Sequence, residues 1–212
     1  MKNRIAEILP EHTLTQSRSK NMYIVDYKNQ NKGKVCLLAC EPSDIKTVYL
    51  KNENEIAVLF DGFEENALPI KKGTYNRQCE CVVFPEICNN DDWVLFVETK
   101  YSDNLANAFR EENNYPQCMV KQILETIHFF RSRGILENRR RTTAIVSFPN
   151  LIEEFNSTFF PVRIDDKYVS AEDILIEHNI LIRATNTAQI ISPKRLKFGG
   201  LQSPFSGRKP SA

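Results

Sequence analysis

Three features that would assign a function class directly are missing from this sequence. Its 28 lysines and arginines nearly balance its 27 aspartates and glutamates, so the net charge is only +1 and no overall basic field marks a nucleic-acid-binding protein. No segment approaches the roughly 18 apolar residues that a membrane helix needs. Residues 1–10 contain no unbroken apolar core, so neither a signal peptide nor a membrane partner is expected, and the protein is predicted to be cytoplasmic.

The six cysteines show few of the spacings that bind metals. Two close pairs occur, Cys36 with Cys40 and Cys79 with Cys81, and both lie inside strand-like segments. Neither pair has the two-residue spacing of a zinc knuckle. Structural zinc therefore stays a minor alternative, and the thiols at positions 36, 40, 79, 81, 88 and 118 are predicted to be reduced, small core residues.

The composition is that of a globular protein. Hydrophobic residues make up 42% of the 212, and the mean hydropathy is −0.40. A chain of this size can bury a substantial core in one domain. We expect one domain over residues 1–198, followed by a disordered basic tail over residues 199–212 that is rich in serine and proline.

The N-terminal third is predicted to be β-structure. Residues 22–27 and 34–40 are strand-like, and the turn formers between them predict a hairpin. Residues 47–50 and 55–60 are predicted to form a second strand pair. This N-terminal β region, residues 22–60, is a candidate interface for a homodimer or for a protein partner.

The most informative stretch runs from Asp91 to Lys100. Five apolar residues follow two turn-forming aspartates, which is typical of a strand buried on both faces. Because side chains alternate along a strand, Glu98 and Lys100 should point to one side and Thr99 to the other. Residues 78–84, which contain Glu80, are predicted to be the antiparallel neighbour of residues 93–101.

The rest of the chain mixes helices and strands. Residues 116–133, closed by Gly134, show the apolar stripe of a helix packed on a core. Residues 142–148 form a clear strand pattern. Residues 181–184 and 188–191 are predicted to pair as a last hairpin.

Glu80, Glu98 and Lys100 are charges that interrupt apolar strands. Two carboxylates about 4 Å apart repel by roughly 4 kcal/mol at an effective dielectric constant of 20. Either one of them takes up a proton, or a divalent cation relieves the repulsion, and all-oxygen ligation suits Mg²⁺ or Mn²⁺. Lys100 could then hold a water or a phosphate oxygen, which predicts metal-assisted hydrolysis of a phosphodiester. Taken singly, Glu98 and Lys100 are better explained as the polar end of a strand, and Glu80 as a residue facing solvent on a half-exposed sheet, so the prediction depends on the combination.

The order of acid, turn, apolar strand, acid-x-lysine and helix resembles the PD-(D/E)XK nuclease superfamily. The matching residues are Glu80 and Glu98-Thr99-Lys100, within about residues 78–148. The resemblance implies an α/β fold of the α+β mixed-sheet type, with a restriction-endonuclease-like core and an additional N-terminal β-hairpin region. It also implies that Glu80, Glu98 and the main-chain carbonyl of Thr99 hold the metal and that Lys100 positions the attacking water. A glutamine on the following helix assists in that superfamily, which makes Gln122 the first candidate and Gln117 the second.

The sequence departs from the superfamily pattern at the first acid. That acid is usually an aspartate, and here Glu80 follows a cysteine. Asp61 competes for the role, but its separation of 37 residues from Glu98 requires a long insertion, whereas the 18 residues from Glu80 fit one hairpin. Glu7 and Glu11 are the candidates for a further glutamate on a preceding helix.

Local basic patches are the predicted contacts to nucleic acid, DNA in particular. Arg139, Arg140 and Arg141 form the densest patch, and Lys194 with Arg195 form the second. The alternative function is a non-catalytic nucleic-acid- or protein-binding module on a degenerate nuclease fold. The N-terminal β region favours this alternative, because its strands lie outside the superfamily core.

Overall fold

The structure, a computed structural model, describes residues 1–28, 34–151, 155 and 158–199. The helices of these residues are α1 (Lys2–Ile8), α2 (Leu105–Ala108), α3 (Tyr115–Ser132) and α4 (Ala171–His178). The strands are β1 (Thr15–Ser17), β2 (Asn21–Asp26), β3 (Val35–Leu38), β4 (Val48–Lys51), β5 (Val58–Gly62), β6 (Pro69–Lys71), β7 (Thr74–Tyr75), β8 (Cys81–Pro85), β9 (Leu95–Thr99), β10 (Thr142–Ser147), β11 (Val162–Ile164), β12 (Lys167–Val169), β13 (Ile180–Ala184), β14 (Thr187–Ser192) and β15 (Arg195–Phe198). The predicted hairpin turn at 29–33, and all of the predicted tail except Gly199, lie outside the described residues.

A six-stranded mixed sheet forms the centre of the molecule. Its strand order is β1-β5-β8-β9-β10-β13; the first four strands are antiparallel neighbours, and β10 and β13 continue the sheet parallel to β9. The predicted antiparallel pairing of β8 with β9 is confirmed, with Cys81 opposite Val97. The fold is thus of the mixed α/β class, as the sequence predicts.

A second sheet of five strands has the order β15-β14-β4-β2-β3. The pairing of β2 with β3 confirms the predicted first hairpin. Two other predicted pairings are wrong: β4 and β5 belong to different sheets, and so do β13 and β14. In the first case, the buried Asn52 side chain bonds both the amide and the carbonyl of Ile56, and this fixes a crossover rather than a hairpin.

The buried residues form two layers, one on each face of the six-stranded sheet. Phe96 packs with Ile123 and Phe130 of α3 on the helical side. Val97 packs with Met22 of the second sheet on the other side. By strand alternation, Glu98 therefore belongs to the helical side and Thr99 to the side of the second sheet.

The long helix α3 covers the sheet next to β9 and β10. It begins one residue before the predicted start and has proline in its first turn, and Gly134, with φ of 66°, follows its end. The apolar stripe predicted as core is buried at all five positions, which are Met119, Val120, Ile123, Ile127 and Phe130. Among the described residues, no helix combines the length and apolar character needed to cross a membrane.

Candidate functional site

The ends of two neighbouring strands bring Glu80 and Glu98 together. Glu98 is the penultimate residue of β9, and Glu80 directly precedes β8. The amide of Glu80 donates to the carbonyl of Val97 at 2.9 Å, so the antiparallel pairing extends to the residue that carries the first acid. Register, which the sequence does not determine, therefore places both carboxylates at the same edge of the sheet.

Lys100 links the two carboxylates. Its ammonium nitrogen lies 2.5 Å from Glu98 Oε1 and 3.7 Å from Glu80 Oε1. Its own amide donates to the carbonyl of Ser147 at 3.0 Å, which continues the β9–β10 ladder and fixes the backbone of the lysine. The three residues that the sequence analysis singled out thus converge on one point.

Glu98 is an unusual carboxylate because it is fully buried and poorly solvated by the protein. Its exposed fraction is 0%, and its ion-pair partner among the described residues is Lys100, whose ammonium lies 2.5 Å from Oε1. Oε2 accepts no hydrogen bond from the described part of the chain. Burial, followed by repulsion from Glu80, raises the pKa of Glu98 to about 8, although the neighbouring lysines oppose this rise.

A second lysine, Lys28, completes the cluster. Its ammonium donates to Glu80 Oε2, while Glu80 Oε1 faces Lys100, so an ammonium approaches each oxygen of Glu80. Burial by itself would lower the pKa of both lysines. The carboxylates outweigh burial, and the pKa values of Lys28 and Lys100 lie above the ordinary lysine value.

Sequence reasoning missed Lys28 and its neighbour Asp26. Asp26 ends β2 in the second sheet, and the amide of Lys28 donates to Asp26 Oδ1 at 2.9 Å. A signal was present, because Val25-Asp26-Tyr27-Lys28 repeats the apolar, acid, variable and lysine order of residues 97–100. The partner of Lys28 lies 52 residues away, however, and no local pattern predicts that contact.

The remaining residues implied by the superfamily resemblance lie near the cluster without joining it. Thr99 lies between Glu98 and Lys100, and its hydroxyl is buried on the other face of the sheet. Gln122 lies on α3 and donates its amide hydrogen to the carbonyl of Gln78 at 2.8 Å. Gln117 lines a different hollow, together with Lys121 and Asp165.

A polar groove adjoins the cluster. It has a volume of about 590 Å³, and its lining includes Lys28, Tyr75, Arg77, Gln78 and Gln122. Lys28 therefore connects Glu80 to a space large enough for part of a substrate, and the groove is lined by two cationic side chains, Lys28 and Arg77, and one acidic side chain, Glu65.

Asp61, the alternative candidate for the first acid, pairs with His12. It is buried, and its Oδ2 lies 2.8 Å from Nδ1 of His12, whose Nε2 lies 2.9 Å from the carbonyl of Ala67. Burial by itself would lower the pKa of His12, but Asp61 outweighs it and the pKa is raised. Of the two candidate helix glutamates, Glu7 pairs with Arg4 on the surface, and Glu11 lines a cavity beside His12.

The predicted basic patches lie at the opposite end of the central sheet. Residues 139–141 precede the first residue of β10, whereas Ser147, beside Lys100, is its last residue, about 16 Å away at roughly 3.3 Å per residue. Arg140 is buried and donates to the carbonyl of Asp92 at 2.6 Å. Lys194 lies 3.9 Å from Asp91 at the same end, and Arg195 begins the edge strand β15. A nucleic-acid contact by these residues stays a prediction.

The donor set suits a divalent cation of the Mg²⁺ or Mn²⁺ type in its chemistry. Two carboxylates lie within 4 Å of the same ammonium, and Oε2 of Glu98 accepts no hydrogen bond from the described residues. Magnesium commonly uses only one or two protein carboxylates and completes its shell with water and phosphate. The described residues contain no group of three or more His, Cys, Asp or Glu side chains arranged to hold a metal.

Comparison with known proteins provides no relative: no family model, no curated protein and no solved structure matches this chain. The functional argument therefore depends on the geometry of the cluster and groove.

Proposed function

We propose that the protein hydrolyses phosphodiester bonds in nucleic acid, DNA in particular, with a divalent cation at Glu80 and Glu98. The observation that carries the proposal is Glu98, a fully buried carboxylate that shares its ion-pair partner Lys100 with a second buried carboxylate and whose Oε2 accepts no hydrogen bond from the described residues. Burying such a pair is costly unless the site gains something from it, and perturbed carboxylates cluster at functional sites.

Each residue has a defined part in this proposal. When bound, Mg²⁺ or Mn²⁺ would polarise the phosphoryl group and activate a water. Glu80, Glu98 and the carbonyl of Thr99 are the proposed ligands. Lys100 orients the attacking water or a non-bridging phosphate oxygen, and Gln122 lines the path by which the substrate enters.

The strand arrangement supports the resemblance to PD-(D/E)XK nucleases. The sequence analysis derives from that resemblance two antiparallel strands, a helix bearing Gln122 and then a further strand. β8, β9, α3 and β10 follow this order, with β10 parallel to β9. We also propose a cytoplasmic location, which is supported by the six free cysteines, since reduced thiols are typical of that compartment.

Cleavage of DNA by the purified chain tests the proposal. We expect cleavage with Mg²⁺ or Mn²⁺ and none with EDTA, and we expect Lys100→Ala to lower the rate at least about 100-fold, since positioned acid–base groups contribute factors of this size. Lys121→Ala is the matched control, because Lys121 forms a surface ion pair with Asp165 at 2.8 Å, away from Glu80 and Glu98.

Three results would contradict the proposal. The first is metal-independent cleavage, and the second is no cleavage of single-stranded or double-stranded DNA or RNA under any metal condition. The third is a Lys100→Ala protein that melts at the wild-type temperature and cleaves at the wild-type rate.

A non-catalytic binding module is the second candidate, and one observation favours it. Lys28 and Lys100 already place an ammonium beside each carboxylate, so both glutamates have a counter-ion without a metal. Calorimetric titration with Mn²⁺ separates the two candidates: binding that disappears in Glu98→Gln supports the hydrolase, and no binding supports the module.

A further inference from the structure

We propose that Lys28 is a displaceable counter-ion, whose ammonium leaves Glu80 when a divalent cation binds and then contacts a substrate phosphate in the adjacent groove. This inference rests on the proposed function, because it concerns the same pair of carboxylates. It adds a residue from the second sheet to a site otherwise built by the central sheet.

A divalent cation at Glu80 would compete with two ammonium groups. Lys28 donates to Glu80 Oε2 and Lys100 faces Glu80 Oε1, so an ammonium approaches each oxygen of this carboxylate. A cation that uses Glu80 as a ligand must therefore replace at least one ammonium. A dication within a few ångströms of two ammonium groups would also be strongly repelled by them.

Lys28 is the lysine whose departure breaks fewer contacts. Lys100 is held by two carboxylates, and its backbone is part of the ladder with Ser147. Among the described residues, Lys28 has one carboxylate partner, and it lies two residues beyond the end of β2 rather than within a strand. A lysine ammonium on a flexible four-carbon stem can change partners without moving the backbone, and the bond from Lys28 N to Asp26 Oδ1 would hold that backbone in place.

The groove provides the new partner. Lys28 is part of its lining, together with Arg77 and the amide side chains of Gln78 and Gln122. Lys28 and Arg77 outnumber the one acidic lining residue, Glu65, which favours an anionic ligand, and a phosphate of the substrate backbone is the anion that the proposed reaction brings there. Lys28 would thus neutralise Glu80 before metal binding and a phosphate afterwards.

The experiment measures metal affinity and cleavage separately on the full chain. Mn²⁺ is titrated by calorimetry into the wild type, Lys28→Met and, as the matched control, Lys51→Met, in which a lysine of the same sheet loses its ion pair with Glu53. Lys28→Met is expected to bind Mn²⁺ at least about tenfold more tightly, because a competing unit charge has been removed. The same variant is expected to cleave DNA at least about tenfold more slowly at saturating Mn²⁺, because a phosphate contact has been lost. Lys51→Met should match the wild type in both measurements.

The outcomes distinguish failure of the Lys28 proposal from failure of the proposed metal site. Unchanged or weaker Mn²⁺ binding by Lys28→Met overturns this proposal, and so does cleavage at the wild-type rate, while the proposed function survives if Glu98→Gln still abolishes binding. Absence of Mn²⁺ binding by the wild type and every variant refutes the proposed metal site and this inference together. If thermal melting shows that Lys28→Met is unfolded, Lys28→Gln, which keeps a donor for Glu80 without the charge, is measured under the same criteria.

Discussion

β2 and β9 end in the same order of residues, an apolar run followed by an acid, a variable residue and a lysine. In β2 the carboxylate of Asp26 accepts a hydrogen bond from the amide of Lys28, two residues further on. In β9 the carboxylate of Glu98 accepts no backbone hydrogen bond from the described residues, and it is fully buried. One extra methylene explains part of this difference, because an aspartate side chain can reach its own backbone two residues on and a glutamate projects further away.

The two lysines also differ in their partners. Lys100 pairs with Glu98 of its own strand end, whereas the ammonium of Lys28 donates to Glu80, in a different sheet. At the end of β2, the carboxylate of Asp26 is therefore hydrogen-bonded within a local turn. The Lys28 ammonium is left to pair with Glu80, beside the end of β9. The comparison suggests that a repeated acid-x-lysine pattern marks a functional site only where the acid is buried and accepts no hydrogen bond from the backbone of its own strand end.

The largest expected effect is on the cleavage rate, to which Glu98 should contribute far more than Asp26. Glu98→Gln should lower kcat/KM for DNA at least about 1,000-fold, because it removes a proposed metal ligand, whereas Asp26→Asn should lower it less than about tenfold. Both substitutions keep the shape of the side chain. Rates on a labelled DNA substrate at fixed Mg²⁺, with melting temperatures as the folding control, provide the measurement. Equal losses in the two variants would break the comparison.

The second effect is the pH dependence of stability. The pKa of Glu98 is about 8 in the folded protein, above its ordinary value of 4.5, so between these pH values the folded state binds the proton more tightly than the unfolded state. Stability from this group is therefore present at low pH and is lost as pH rises towards 8, and its full size is at most about 5 kcal/mol, at about 1.36 kcal/mol per pKa unit.

Glu98→Gln removes this titration. The free energy of unfolding of Glu98→Gln, relative to that of the wild type, should therefore increase between pH 5 and pH 9. Urea unfolding in the presence of EDTA at several pH values measures this difference. If the stability curves of the two proteins are parallel across this pH range, the pKa of Glu98 is not raised by folding, and the contrast between Glu98 and Asp26 fails.

Local patterns in the sequence predict much of the fold and only part of the site. Apolar runs and turn formers predicted β2, β3, β8, β9, α3 and β10, because each depends on residues that are close along the chain. The same patterns wrongly paired β4 with β5 and β13 with β14, since periodicity does not say which sheet an apolar strand joins. The convergence of Glu80, Glu98 and Lys100 needed only one hairpin, whereas Lys28 reaches Glu80 across 52 residues.

Tyr101 joins the two strand ends and provides the smallest and most discriminating test. It follows Lys100 directly, and its hydroxyl accepts from the amide of Asp26 at 3.4 Å and donates to the carbonyl of Lys46 at 3.1 Å. Tyr101→Phe should cost about 1 kcal/mol of unfolding free energy, the usual value of a hydrogen-bonded hydroxyl. Cleavage should fall no more than a few-fold, because the hydroxyl contacts neither carboxylate of the proposed site.

A double-mutant cycle with Asp26→Ala then measures how far the two ends depend on each other. Neighbouring residues in one network typically show coupling of about 0.5–3 kcal/mol. The Tyr101 hydroxyl accepts from the main-chain amide of Asp26, which Asp26→Ala keeps, so the coupling passes through the turn and the low end of this range is expected. If the two substitutions are coupled in unfolding free energy but not in cleavage rate, the turn at Asp26 supports the structure of the site only. The contribution of the β2 end to the reaction then comes from Lys28. Strong coupling in cleavage would instead make Asp26 part of the reaction, and the difference between the two acids would then be one of degree.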